Sequence, residues 1–297
     1  MKIEVECATC IVRQVVECSK EITDNKKEQF HLVKSTLSVI QDNYGENSVP
    51  AWMGTIVHRY LKKISNCNDP YRRLKEKADE IALKYVDIVR EKVDKCNNDY
   101  EKFKVLVLGT IAGNTIDFGP YSTDLDIIKK IEETVNGNLQ RNDLNYFIED
   151  LKKSKKILYI CDNAGEIVFD KLLIENILNY CPNVVCAVKG KPILNDATLE
   201  DAKKIGLTDI VKVIPVGEDI IGVILEECSE EFLKEFYSSD LIIAKGMGNF
   251  ESLTEYTDEI NKTKSKLYYI FKAKCAPVAN YVGVNVGDNI MIRYDNI

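Results

Sequence analysis

From about residue 155 the chain of 297 residues changes rhythm. Short β-branched runs at 156–160, 184–188, 210–216, 240–244 and 267–271 alternate with stretches of helical period or composition at 167–180, 197–205 and 220–236. Alternation of this kind leaves few choices, because each crossover helix must cover one face of a sheet whose strands run the same way. The class expected is α/β, with a mostly parallel sheet and helices on both faces. A tail at 289–294 is expected to add an edge strand. The first hundred residues read as helices: Leu74, Ala78, Ile81, Tyr85, Ile88 and Val89 repeat on one helix face among lysines and glutamates. Breaks fall at 42–45 and 66–70, and Asp69 before Pro70 suits an N-cap followed by proline at the first helical position. We read 1–150 as a helical N-terminal subdomain and 151–297 as the α/β domain that carries the site. The segment 103–116 is ambiguous between a strand at Val105-Leu106-Val107-Leu108 and a buried helix.

Charge narrows the function. A net charge of −7 argues against a protein whose main business is a phosphate backbone, so no nucleic-acid partner is expected. A small anionic ligand needs only a few local cations and stays open. No apolar run is long enough to cross a bilayer, and acidic Glu4 and Glu6 stand where a secretory signal would be apolar. We therefore expect no membrane partner and a cytoplasmic protein, in which the ten cysteines are mostly reduced core residues.

In an open parallel sheet, ligands bind at the carboxyl ends of strands near a topological switch point. Here those ends carry Asp162-Asn163-Ala164-Gly165-Glu166, Lys189-Gly190-Lys191 through Asn195-Asp196, Lys245-Gly246-Met247-Gly248-Asn249, and Lys272-Ala273-Lys274. Asp and Asn offer hard oxygen ligands for a divalent cation. Lysines supply point charges for a phosphoryl group, and glycines allow close backbone approach to an anion. Each piece has a plainer reading. An Asp-Asn after a strand is often a turn, a Lys-Gly a solvated bend, and Asp196 a cap for a helix starting at Ala197. Convergence on one sheet edge favours a metal-assisted phosphate site. Neither a G-x-x-x-x-G-K-[ST] loop nor a G-x-G-x-x-G after a strand occurs, which disfavours P-loop and dinucleotide chemistry.

The four motifs at these strand ends, with Gly113-Asn114-Thr115-Ile116-Asp117-Phe118 upstream and Cys7-Ala8-Thr9-Cys10 near the start, resemble the damage-control phosphatase family, also called ARMT-like and formerly a domain of unknown function, in its prokaryotic branch. The resemblance runs from residue 7 to about 280. It implies a helical N-terminal part on a Rossmann-like three-layer α/β/α sandwich, with 103–116 helical. It also implies metal-dependent hydrolysis of small phosphorylated metabolites, such as sugar phosphates, phosphopantetheine-like compounds or damaged derivatives. By motif, the metal ligands would be Asp162, Asn163 and Asp196, with Mn²⁺, Co²⁺, Ni²⁺ or Mg²⁺ as the cation. Phosphate would meet Lys245, Asn249 and Lys272, with Asn114 and Asp117 lining the site. Asp162, Asp117 and Glu166 are the catalytic candidates, Asp117 or Glu166 as general acid or base, although Glu166 equally suits a first-turn residue complementing its helix dipole.

Cys7 and Cys10 at i, i+3 share a face if helical; packing or tethering is the main expectation, with zinc or redox roles as alternatives. Cys161, Cys186 and Cys275 read as core residues. His31 and His58, alone in the helical part, are expected on a helix surface or in a core. A carboxyl methyltransferase and a non-catalytic phosphometabolite-binding protein are the competing functions. The N-terminal helices are expected to build the specificity wall.

Overall fold

The computed structural model describes residues 1–114 and 124–297. Among them α1 (Cys7–Ile22), α2 (Lys26–Asn43) and α3 (Pro50–Ser65) pack on each other through Ile11, Val15, Cys18, Leu32, Ile40, Met53, Val57 and Leu61. Next come α4 (Arg72–Asp94), α5 (Asp99–Gly113) and α6 (Asp124–Val135), then β1 (Leu139–Asn142) and α7 (Leu144–Lys153). The α/β alternation follows as β2 (Ile157–Ile160), α8 (Glu166–Ile177), β3 (Val184–Val188), α9 (Leu199–Lys204), β4 (Lys212–Pro215), α10 (Glu230–Ser238), β5 (Leu241–Lys245), α11 (Gly246–Leu253), α12 (Thr257–Thr263), β6 (Lys266–Lys272), α13 (Ala276–Val282) and β7 (Asn289–Arg293). No helix among the described residues is long and apolar enough to cross a membrane.

The strands form one sheet in the order β1-β7-β6-β5-β2-β3-β4, parallel throughout except for the β6–β7 pair. Side-chain alternation sends Ile157, Tyr159, Leu241, Ile243, Tyr268 and Ile270 into the face covered by α4–α8. Leu158, Ile160, Ile242, Ala244, Tyr269 and Phe271 face α10–α13. This is the three-layer α/β/α arrangement with a mostly parallel sheet. The ambiguous 103–116 segment is helical through Gly113 and buried nearly all round, which is why its periodicity was mute.

Four expectations need correction. The tail strand β7 is not the edge: β1, which lies inside the range read as helical, pairs beyond it. The 220–236 segment is helical only over α10 and a short 3₁₀ turn, Leu225–Glu227. Its amides are taken by side chains of neighbouring elements instead: Ile221 N–H by Thr55 Oγ1, Val223 N–H by Ser252 Oγ and Leu225 N–H by the Tyr256 hydroxyl. Tyr71, not Asp69, is the N-cap of α4, and the Asp69 carboxylate pairs with Lys75 at 3.0 Å. Asp196 does not cap α9; Thr198 does, in a reciprocal capping box with Asp201.

Chain direction in the sheet places the site. From β2 the chain steps outward through β3 and β4, then returns to the other side of β2 as β5. The carboxyl ends of β2 and β5 therefore flank the crevice where a ligand is expected. Helix α3 closes over that end: Lys62 Nζ donates to the Pro192 carbonyl at 2.7 Å and to Asp219 at 2.6 Å, while Arg59 pairs with Asp219 at 2.9 Å.

Candidate active site

Two loops meet at the crevice. Backbone hydrogen bonds from Ala164 N–H to the Asn195 carbonyl (2.9 Å) and from Ala197 N–H to the Asp162 carbonyl (2.8 Å) stitch the 161–166 loop to the 193–198 loop, with Asn163 opposite Asp196. Asp162, Asn163 and Asp196 thus line one wall of a cavity of about 600 Å³. Asp162 Oδ2 accepts from Asn114 Nδ2 at 3.0 Å and from Asn163 Nδ2 at 2.7 Å. Gly246, at φ +79°, opens α11 against this carboxylate, and a Cβ there would lie 1.9 Å from Asp162 Oδ2. Only glycine fits, and it brings a helix N-terminus up to the acid.

The acids crowd one another. Burial, then the charges of Glu166 and Asp196, push the Asp162 carboxyl well above the usual range, against the pull of Lys274 and Lys245. Burial likewise lifts Asp196 to about 6, opposed by Lys189, whose Nζ lies 3.7 Å away. Lys189 is itself 1% exposed and donates to the Gly222 carbonyl at 2.6 Å. A divalent cation suits this surplus of buried negative charge, and carboxylate and carboxamide oxygens are hard donors. Among the described residues no group of three or more His, Cys, Asp and Glu side chains is gathered to hold a metal; the oxygen-bearing side chains where the two loops meet are two carboxylates and an amide.

Lys245, the third-motif lysine, lies outside the cavity. Its Nζ is fully buried, bound to Glu166 and, at 2.9 Å, to Asp170, which also accepts from the Tyr159 hydroxyl at 2.7 Å. Two carboxylates share one ammonium. Burial raises Asp170 to about 6, only partly offset by Lys245; burial also works against charge on Lys245, but Asp170 and Glu166 outweigh it and raise its pKa. Glu166 is 1% exposed and its second oxygen takes a 3.4 Å bond from Asn163 Nδ2. Asn249 spends its amide hydrogens on the carbonyls of Cys161 (3.1 Å) and Lys245 (2.7 Å), tying α11 to β2. Lys272 shares strand parity with Tyr268 and Ile270, so it turns to the α5–α6 layer; burial, Lys130 and Lys274 lower its pKa. Asp117 lies outside the described residues.

Two exposed cations line the cavity, Arg13 of α1 and Lys274, and the motif reading passed over Lys274 for Lys272. The Lys274 Nζ donates to Asn114 Oδ1 at 2.5 Å, so Asn114 bridges Lys274 to Asp162. Asp79 was also missed: from α4 it accepts the Gly165 N–H at 2.7 Å, where that glycine stands at φ +76° against Ala78. Strand parity held one unused signal. Lys245 continues the Leu241 and Ile243 face, and Glu166 and Asp170 lie at i, i+4 on the helix covering that face. Nothing local announced Asp79.

As expected, the helical part walls the cavity, through Cys7, Cys10, Ile11 and Gln14 of α1 and Pro50, Ala51 and Gly54 of α3. All ten cysteines are free. Cys161 and Cys186 are core residues, whereas Cys275 is half-buried and lines the cavity. His58 is a buried core histidine, held to about 3 by burial and by the Lys62 charge, and His31 is exposed.

Comparison with known proteins agrees. Residues 3–290 match the model of the Damage-control phosphatase ARMT1-like domain. The chain is 62% identical over 295 residues to an uncharacterized protein of Methanocaldococcus jannaschii, covering 99% of this chain and 96% of that one. It is 36% identical to the damage-control phosphatase PH1575 of Pyrococcus horikoshii, over 99% of this chain and 98% of the relative. It is 33% identical to a damage-control phosphatase of Archaeoglobus fulgidus, over 98% of both. The crystal structure of the Pyrococcus horikoshii protein, described as a DUF89 family protein, superposes with a TM-score of 0.88 at 35% identity and covers 99% of each chain. With the fold and the whole length in agreement, the chain belongs to the damage-control phosphatase family and is a phosphatase.

Proposed function

We propose that the chain hydrolyses phosphate monoesters of small cytoplasmic metabolites, sugar phosphates or phosphopantetheine-like or damaged compounds among them, with a divalent cation held by Asp162, Asn163 and Asp196. Mn²⁺, Co²⁺, Ni²⁺ and Mg²⁺ are the candidates. One observation carries the reading: acids from two sequence-distant loops, stitched by backbone hydrogen bonds, share the wall of one cavity with Lys274. The cation would supply Lewis-acid charge at the phosphoryl oxygens and activate water.

The chain's own residues do the rest. Lys274 at the cavity neutralises phosphoryl charge, and Asn114 holds it toward Asp162. Lys189 fixes Asp196. Glu166, Lys245 and Asn249 act behind the wall as positioning residues, since Lys245 is held by Glu166 and Asp170 and Asn249 gives its amide hydrogens to the Cys161 and Lys245 carbonyls. Asp117 is the proposed proton-transfer group. Lys272 adds long-range positive charge without touching the cavity.

Phosphate release from a panel of phosphomonoesters, with each cation and with chelator, tests the reading. Activity should require metal, and Asp162→Ala should abolish it while circular dichroism shows an intact fold. Undiminished turnover by that variant, or equal turnover in chelator, would refute the site. Methyl incorporation from a sulfonium donor without phosphate release would favour a transferase, and binding alone a non-catalytic protein.

A further inference from the structure

We infer that Gln14 reads the leaving group: its carboxamide selects esters that carry a hydroxyl away from the phosphorylated carbon. This rests on the phosphatase reading of the same cavity. Gln14 sits on α1, across from the acids, and lines the cavity that Asp162 and Asp196 also line. One end of its amide is occupied, Nε2 lying 3.6 Å from Cys10 Sγ. The other end, Oε1, is buried and has no partner among the described residues. A buried polar atom without a partner is costly, and an apolar side chain of similar length would avoid the cost. A partner arriving with the ligand accounts for it.

The neighbouring helix shapes the wall beside that edge. Gly54 sits in the middle of α3, where glycine weakens a helix. A Cβ at this position would lie 2.8 Å from Ile221 Cδ1 and 3.8 Å from Gln14 Oε1. Its absence lets Ile221 and the free amide edge pack against α3, beside Ala51 on the same cavity wall.

The chemistry selects a hydroxyl. A hydroxyl donates to Oε1, and it also accepts from Nε2 if the amide is turned the other way, so the match survives either assignment. A carboxylate would meet Glu6, Glu251, Asp162 and Asp196 around the same cavity, an acidic excess over Arg13 and Lys274, and be disfavoured. A purely apolar leaving group would leave the amide as unpartnered as before.

The test compares kcat/KM for a polyol or sugar phosphate with that for its deoxy analogue lacking one distal hydroxyl, in the wild-type holoenzyme and in Gln14→Met. The position of the hydroxyl is varied along the chain. The wild type should prefer one hydroxylated ester of such a pair, and Gln14→Met should shrink that preference about tenfold, the loss of roughly one hydrogen bond. A preference unchanged in Gln14→Met, or a fall on both esters in equal proportion, overturns the inference, since a structural role would move both alike. A wild type that works but never distinguishes the pair overturns it too. No phosphate release by the wild type from any ester with any cation instead defeats the phosphatase reading. Should Gln14→Met fail to fold, Gly54→Ala carries the test: a methyl pressed on Ile221 Cδ1 and 3.8 Å from Gln14 Oε1 should disturb the amide edge and lower kcat/KM for the preferred ester more than for its deoxy partner, and an equal fall counts against us.

Discussion

Lys245 and Lys274 follow adjacent strands of one sheet and belong to opposite regimes. Lys245 is fully buried, pinned between Glu166 and Asp170 on the α8 face. Lys274 is exposed at the cavity and, among the described residues, bound to the carboxamide and carbonyl oxygens of Asn114. The same residue type at equivalent strand ends thus serves as internal scaffold in one place and as a cation free to meet an anion in the other. The active wall is thin. Behind the acids that face the cavity stands a closed ionic layer whose task is to hold them still.

Substitutions can break that contrast or sharpen it. The largest effect is expected for Lys245→Met, which strands two buried carboxylates; stability should fall by about 3–5 kcal/mol, read from denaturant unfolding. A loss under about 1 kcal/mol, with activity gone, would place Lys245 in the reaction and erase the distinction.

Asp79 tests the backing layer by pH. Burial raises its carboxyl to about 6 from an ordinary 3.8, although the Gly165 N–H bond pulls the other way. The folded protein therefore binds this proton more tightly than the unfolded chain. This contribution to stability is greatest below 3.8 and declines as pH rises to about 6, by about 2–3 kcal/mol in all. Asp79→Asn keeps an acceptor for Gly165 and removes the charge. Melts from pH 4 to 7 should then show a shallower decline and a gain of about 2 kcal/mol at neutral pH; identical slopes would sink the assignment.

Smallest is Lys274→Met. The side chain is exposed, so melting should be unchanged, while kcat/KM for phosphomonoesters falls about tenfold or more, as for one charge-assisted hydrogen bond. A stability loss matching that of Lys245→Met would show the two lysines to be alike after all.

Much of this was legible beforehand. The strand runs and their polar ends follow from local pattern, because strand ends are where ligands bind and the residue types there are chemically narrow; the family resemblance narrowed those ends to the proposed Asp162, Asn163 and Asp196 set. The errors share a cause. The 220–236 stretch has helical composition, yet Thr55, Ser252 and Tyr256 claim its amides from other elements. Lys272 matched the phosphate motif, but it still belongs to β6, whereas Lys274, two residues on, clears the end of the sheet and lines the cavity. Asp79 and Gln14 come from helices distant in sequence whose contacts no window of residues contains.

By itself, then, the sequence determined the α/β class and the run of carboxylates, carboxamides and lysines at the strand ends, since these depend on period and on short-range order along the chain. Tertiary structure alone decided which lysine is free and which is locked, and how α1 and α3 close the cavity. Burial and ion pairing are properties of elements brought together in space, and the same ammonium is scaffold or ligand according to what packs against it.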